Sequence, residues 1–206
     1  MPDLLLPAAR LPRWVENFAE RHGETAFTVV DGALSGRAED GSSCRFQLPF
    51  GASFDAEPDL DRFAAAAVPP VDWGVLLVRK GGFAIARLHG AELTDSKTGQ
   101  RHVQGRTKAG GQSQQRFARR RDNQAKAAFG AAADHAARIL TERRGLAVLV
   151  IGGDHAAVDA TLDDARLRGL RDLVVGPWLA TPDPRRSVLE QAIADAQAIA
   201  VEVVNA

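Results

Sequence analysis

The feature that most constrains the fold is a pair of apolar runs joined by a glycine turn, WGVLLVRKGGFAIARLHG, at residues 73–90. Lys80, Gly81 and Gly82 between the runs suit a tight β-hairpin, and a third strand is expected to begin near Ala91. The later run LAVLVIGG is continuously apolar, as is typical of a strand covered on both faces. The chain is therefore predicted to build a sheet that starts as an antiparallel meander and continues with parallel strands.

Helical spacing of apolar residues links these strands. One long helix is predicted over 113–143, another near His155, a strand in LRDLVVGPW, and a last helix from about Pro184 to Val203. The order β-β-β-α-β-α-β-α resembles a ribonuclease-H-like three-layer fold. The predicted fold class is α/β (α+β), with a mixed sheet and flanking helices.

The first 70 residues predict a separate small α+β module. An amphipathic helix in RWVENFAERHG places Trp14 and Phe18 on one face, and three short alternating runs follow as strands. Trp14, Phe18 and Phe27 form either its core or a contact surface for tRNA or a ribosomal subunit. Proline and acidic residues then mark a boundary, so the expected domains are 1–70 and 71–206.

Charge is balanced overall but unevenly distributed. The 206 residues hold 26 Lys and Arg against 26 Asp and Glu, which argues against a uniformly basic nucleic-acid binder. From Lys97 to Lys126, however, nine Lys and Arg face only Asp122 among the acids. The single cysteine, Cys44, excludes an internal disulfide, and the absence of a long apolar run predicts a cytoplasmic protein without a membrane span.

The basic stretch surrounds two glycines and a glutamine, in GRTKAGGQSQQRFARRR at residues 105–121. A tip without side chains at Gly110 and Gly111 could enter a narrow pocket, while Gln112 could orient a water but could not act as a titrating base. We expect a protruding loop whose cations contact RNA phosphates. These candidate RNA-binding residues are Arg106, Lys108, Arg116, Arg119, Arg120 and Arg121.

Metal and nucleotide chemistry find little support in the sequence. Strand residues 73–79 and 82–88 contain no Asp or Glu, although magnesium-dependent nucleases of a ribonuclease-H-like fold need several carboxylates. VIGGDH lacks the lysine and the glycine spacing of a P-loop. His135 and His155 have no partners at ligand or triad spacing and are interpreted as structural or surface residues. No metal and no cofactor are predicted.

The stretch GRTKAGGQSQQRFARRRDNQA resembles the Gly-Gly-Gln loop and following helix of the central domain of eukaryotic and archaeal class I release factors. The likeness extends through the preceding hairpin, the long helix and LAVLVIGG, over roughly residues 73–204. Within that group the chain most resembles the actinobacterial VLRF-type peptidyl-tRNA hydrolases. Codon-reading and GTPase-binding domains of the termination factors are not recognisable.

The resemblance implies hydrolysis of the ester between peptide and tRNA by water, in the peptidyl transferase centre of the large ribosomal subunit, as codon-independent rescue of stalled ribosomes. Gly110, Gly111 and Gln112 would be catalytic, and the implied partners are peptidyl-tRNA and ribosomal RNA. Two alternatives stay open: a non-catalytic module that binds RNA or the ribosome, and an RNA endonuclease, which the missing strand carboxylates disfavour.

Overall fold

The computed structural model describes residues 4–100, 129–143 and 145–206. These residues form two compact units, one of Met1–Pro69 with Ile193–Ala206 and one of Pro70–Ala192. The strands are β1 Leu4–Leu6, β2 Thr25–Val30, β3 Ala33–Ala38, β4 Ser43–Gln47, β5 Asp72–Arg79, β6 Gly82–His89, β7 Glu92–Gln100, β8 Val148–Gly153, β9 Val174–Leu179 and β10 Ile199–Val204.

The α-helices are α1 Leu11–His22, α2 Leu60–Ala66, α3 at residues 129–136, α4 His155–Leu162 and α5 Arg186–Ala196. A π-helical turn, Ala137–Thr141, continues α3. Three 3-10 turns lie at Ala8–Arg10, Pro49–Gly51 and Arg168–Leu173.

The first unit is an antiparallel sheet with helices packed on it, in the order β1-β10-β4-β3-β2. Its core centres on Phe46, which lies edge-on to Trp14 with ring centroids 5.2 Å apart and 6.4 Å from the ring of Phe63. Phe18 is buried, and the half-buried Trp14 and Phe27 pack against the same cluster. The interpretation of these aromatic residues as core is therefore confirmed.

Helix α1 ends where the sequence indicated. Gly23, with φ of +92°, caps it, and a Cβ at this position would collide with the carboxylate of Glu39. Asp59 is the N-cap of helix α2, and its Oδ1 accepts a hydrogen bond from the Arg62 backbone N–H at 2.7 Å.

The end of the chain departs from the predicted last helix, which was expected to run to Val203. Helix α5 stops at Ala196, and Ile199–Val204 form β10 between β1 and β4 of the first sheet. The prediction was wrong because IAVEVV satisfies strand alternation as well as helical spacing: Ile199 and Val201 are buried in the sheet core. The compact units thus differ from the expected division at 70/71, since the last residues belong with the first unit.

The second unit contains a mixed sheet in the order β7-β6-β5-β8-β9. Strands β5 and β6 pair antiparallel through the predicted hairpin at Lys80 and Gly81, and β7 pairs antiparallel with β6. The pairs β5–β8 and β8–β9 are parallel. Residues Trp73–Val78 of β5 are all buried. The predicted α+β fold class, with a meander that leads into parallel strands, is confirmed. The expected long helix over 113–143 is described from residue 129 onward, and its earlier part lies outside the described residues.

Candidate functional site

The residues predicted to carry chemistry lie outside the described residues. This holds for Gly110, Gly111 and Gln112, for the expected protruding loop, and for the six candidate RNA-binding side chains Arg106, Lys108, Arg116, Arg119, Arg120 and Arg121. The structure does describe both chain segments that bound 101–128. Strand β7 precedes this stretch and helix α3 follows it.

Strand β7 reaches residue 100 in close contact with β6. Gly82 pairs with Gln100, and a Cβ on Gly82 would overlap the carbonyl oxygen of Gly99. A Cβ on Gly99 would in turn meet the ring of Phe83, so this backbone approach requires glycine. The Phe83 ring also lies 5.4 Å from the ring of His135 on α3, measured between centroids. His135 is thus half-buried packing against the sheet, consistent with its structural interpretation.

An ion pair joins the strand before this stretch to the helix after it. Arg138 donates to Asp95 on β7 through Nη1 at 2.7 Å and Nη2 at 3.2 Å. The hydrogen bond from Arg138 lowers the pKa of Asp95, and the same bond raises the pKa of Arg138. Both side chains keep 37–46% of their surface exposed, so solvent screens the pair. Its two parallel bonds nevertheless define one orientation of α3 on β7.

The far end of α3 is held by a buried arginine. Arg87 of β6 is only 3% exposed, and its Nη1 donates to the carbonyls of Leu140 at 3.2 Å and Arg143 at 2.9 Å. Its Nη2 lies 3.3 Å from Asp72 Oδ1. Carbonyls at a helix end lack partners inside the helix, and the guanidinium satisfies them. A signal for this role is visible in the sequence, because Arg87 is the one charged residue inside the apolar run FAIARL.

A hollow lies at the carboxyl ends of β5, β8 and β9. It has a volume of about 440 Å³ and is lined by Arg79, Gly153, Asp154, His155, Ala180 and Thr181. The exposed His155 stacks on the half-buried Trp178, with centroids 3.5 Å apart and planes 14° from parallel. Arg79 Nη1 donates to the Thr181 carbonyl at 2.7 Å. The sequence predicted a structural or surface role for His155 but did not indicate this grouping, because its members come from three separate strand ends.

Within the described residues, no group of three or more His, Cys, Asp or Glu side chains is arranged to hold a metal ion. Burial raises the pKa of the Cys44 thiol to about 11, so this cysteine stays protonated inside the first unit. No helix in the described part of the chain is long and apolar enough to cross a membrane.

A family model matches more than half of the chain. Residues 71–202 match the family model described as "Actinobacteria/chloroflexi VLRF1 release factor". None of the curated protein sequences matches this chain.

Two solved structures are similar to this chain over about half of their own length. The archaeal translation termination factor aRF1 is 15% identical over 91% of this chain and 53% of its own, with a TM-score of 0.44. Pelota from Archaeoglobus fulgidus is 13% identical over 84% of this chain and 51% of its own, with a TM-score of 0.33. The chain spans about half the length of these two proteins.

Proposed function

This chain belongs to the Actinobacteria/chloroflexi VLRF1 release factor family, and from that premise we propose that it hydrolyses the ester bond between a nascent peptide and tRNA on the ribosome. The observation that carries the proposal is Gly110-Gly111-Gln112, which lies inside the matched residues 71–202 and among nine Lys and Arg. The family gives the chain a release-factor-type role in translation. The specific hydrolysis, its codon independence and its use on stalled ribosomes are our proposal.

The proposed role of Gln112 is to position the water that attacks the ester. A water adds to the ester carbonyl carbon, the bond to the ribose oxygen breaks, and the water protons end on the ribose hydroxyl and in solution as the peptide leaves as a carboxylate. The Gln112 amide does not titrate near neutral pH, but it offers a donor and an acceptor to hold that water. Well-oriented reactants can lower a barrier by roughly 7–11 kcal/mol, so a non-titrating residue is sufficient for this role.

Glycine and arginine have separate tasks in this proposal. Gly110 and Gly111 remove bulk so that the backbone can approach RNA closely. Arg106, Lys108, Arg116, Arg119, Arg120 and Arg121 neutralise phosphates of ribosomal RNA and tRNA around the peptidyl transferase centre, which makes binding steeply dependent on salt. No cofactor or metal takes part, and the protein acts in the cytoplasm, where its partners are the large subunit and peptidyl-tRNA.

Contacts of the strand before residues 101–128 and of the helix after them support these proposed roles. Asp95 and Arg138 join the strand before residues 101–128 to the helix after them, and Arg87 anchors the end of that helix. A segment that delivers one side chain to a reacting bond needs such fixed ends, because misplacement of about 1 Å can cost two orders of magnitude in rate.

The decisive variant is Gln112→Ala, assayed by peptide release from large ribosomal subunits that carry peptidyl-tRNA. We expect kcat to fall by about 100-fold or more while subunit binding is retained, because only an interaction made with the reacting groups is removed. Gln124→Ala, an amide in the same basic stretch, is the matched control and should keep wild-type kcat.

Three other outcomes would contradict the proposal. Wild-type release by Gln112→Ala would remove this residue from the chemistry. Subunit binding by the wild-type protein without any release would favour the non-catalytic module, and metal-dependent cuts in RNA would favour the endonuclease.

A further inference from the structure

We propose that the hollow at the carboxyl ends of β5, β8 and β9 binds one ribonucleotide unit, supplied by an unpaired RNA strand. This site shares no residue with Gly110-Gly111-Gln112, and the identity of its RNA partner rests on the proposed function. Three kinds of residue line it: a histidine whose ring stacks on Trp178, an arginine, and residues with polar side-chain oxygens suited to ribose.

The aromatic pair offers a flat surface for a base. The half-buried Trp178 supports His155 at a centroid distance of 3.5 Å, and His155 is exposed. A surface imidazole held flat on an indole is a suitable platform for stacking, the interaction by which proteins bind unpaired bases of any sequence.

The guanidinium of Arg79 supplies the charge that a phosphate needs. It lines the hollow with 42% of its side chain exposed, and its position is fixed by the bond to the Thr181 carbonyl at 2.7 Å. Its Nε also lies 3.8 Å from Asp183. Because a guanidinium carries five N–H donors, these two contacts leave donors for phosphate oxygens.

Thr181 and Asp154 provide polar oxygens at the same place. Thr181 Oγ1 is buried and has no hydrogen-bond partner among the described residues. Such a group is costly in a folded protein unless something else satisfies it. Asp154 precedes α4, yet its carboxylate does not cap that helix. The Asp154 carboxylate can accept from ribose hydroxyls, the groups that distinguish RNA from DNA, and rotation of the Thr181 side chain towards the hollow would give its hydroxyl a partner there.

The position of the hollow agrees with an RNA partner. In the sheet, Val78 pairs with Gly153, Gly152 with Leu179, and Gly82 with both Arg79 and Gln100. The hollow therefore opens at the same end of the sheet from which the chain continues into residues 101–128. A strand of RNA engaged by the basic stretch would pass near this end.

The test is equilibrium binding of AMP and of short unpaired oligoribonucleotides to the full chain, followed through the indole N–H resonance of Trp178. We expect His155→Ala to weaken AMP binding by about 5-fold or more, because a stacking surface is removed. His89→Ala is the matched control, since His89 is 61% exposed and lies at the opposite end of β5 and β6.

The Thr181→Val variant distinguishes a loss of AMP binding from a loss of folding. It replaces an unpartnered buried hydroxyl by a methyl group, so thermal stability should be unchanged or higher while the affinity for AMP falls about 3-fold or more. The loss should be smaller for deoxy-AMP, which lacks one ribose hydroxyl. Equal affinity of His155→Ala, Thr181→Val and His89→Ala for AMP would overturn the site.

Two further comparisons identify which ligand occupies the hollow and distinguish failure of this site from failure of the proposed function. Oligoribonucleotides that bind more tightly than AMP, with the same sensitivity to His155→Ala, support the RNA strand, whereas tighter binding of AMP than of any oligomer would assign a free nucleotide and overturn it. If Gln112→Ala loses peptide release while all variants bind AMP with equal affinity, the nucleotide site is overturned and the proposed function is retained.

Discussion

In β2 of the first unit every second residue is exposed, whereas Trp73–Val78 in β5 of the second unit are buried without interruption. Alternation is typical of a sheet with one covered face, and continuous burial of a strand with parallel neighbours and two covered faces. The two sheets therefore differ in how many of their faces other elements cover and in how far apart in the sequence their strands lie. The second is built from consecutive residues 70–192, while the first needs β10 from the far end of the chain.

The largest effect should come from breaking the first sheet at that distant strand. Val201 is fully buried in β10 and pairs with Phe46, so Val201→Asp places an unpaired charge in the core. We expect a loss of about 4 kcal/mol or more in stability of the first unit, measured as faster hydrogen exchange of β3 and β4.

The matched control is Val204→Asp, in the same strand but 66% exposed, which should change stability by less than about 0.5 kcal/mol. Unchanged exchange in β4 of Val201→Asp would show that the first sheet does not depend on β10 and so does not differ from the second sheet in this respect.

A smaller effect is expected from removing the buried charge of the second sheet. Arg87→Leu leaves the carbonyls of Leu140 and Arg143 and the carboxylate of Asp72 without this donor. We expect the free energy of unfolding of the second unit to fall by about 3 kcal/mol, because removal of one member of a buried ion pair leaves its partners unpaired. Exchange of β6 amides measures this loss, and β4 amides in the same sample serve as the internal reference.

Arg168→Leu is the control here, because this arginine is exposed in the same unit. If β6 exchanges at the same rate in both variants, Arg87 does not anchor the helix end.

The smallest effect should follow removal of the exposed pair between β7 and α3. Asp95→Asn and Arg138→Gln are each expected to lower Tm by about 1–3 °C, and the double variant by scarcely more than either alone. The reversed pair Asp95→Arg with Arg138→Asp should recover part of the loss, as measured by thermal unfolding. Additive losses would show that the two side chains do not interact.

Acid provides a second measure of the same pair. The pKa of Asp95 is lowered below 3.8 in the folded state, chiefly by the hydrogen bond from Arg138. The stabilisation that ionised Asp95 provides is therefore fully present above the pKa of Asp95 in the unfolded state. It is lost as the pH falls through the lower pKa of Asp95 in the folded state. The Tm difference between wild type and Asp95→Asn should be constant at neutral pH and shrink below about pH 4.

Local patterns predicted much of this molecule. The β5–β6 hairpin, the apolar β8, the end of α1 at Gly23 and the aromatic core around Phe18 followed from turn chemistry and from period-two or helical spacing. The same reasoning extended the last helix through β10, because IAVEVV fits both periods and only its strand partners decide between them.

The sequence alone was enough to predict most helices and strands, the nine Lys and Arg around Gly110-Gly111-Gln112, and the absence of carboxylates from residues 73–79 and 82–88. Tertiary structure decided which distant residues meet. Asp95 and Arg138 are 43 residues apart, Arg79 and Thr181 are 102 apart, and Phe46 meets Val201 across the first sheet. The physical reason is that turn and periodicity signals act over a few residues, whereas these contacts depend on the order in which strands pair.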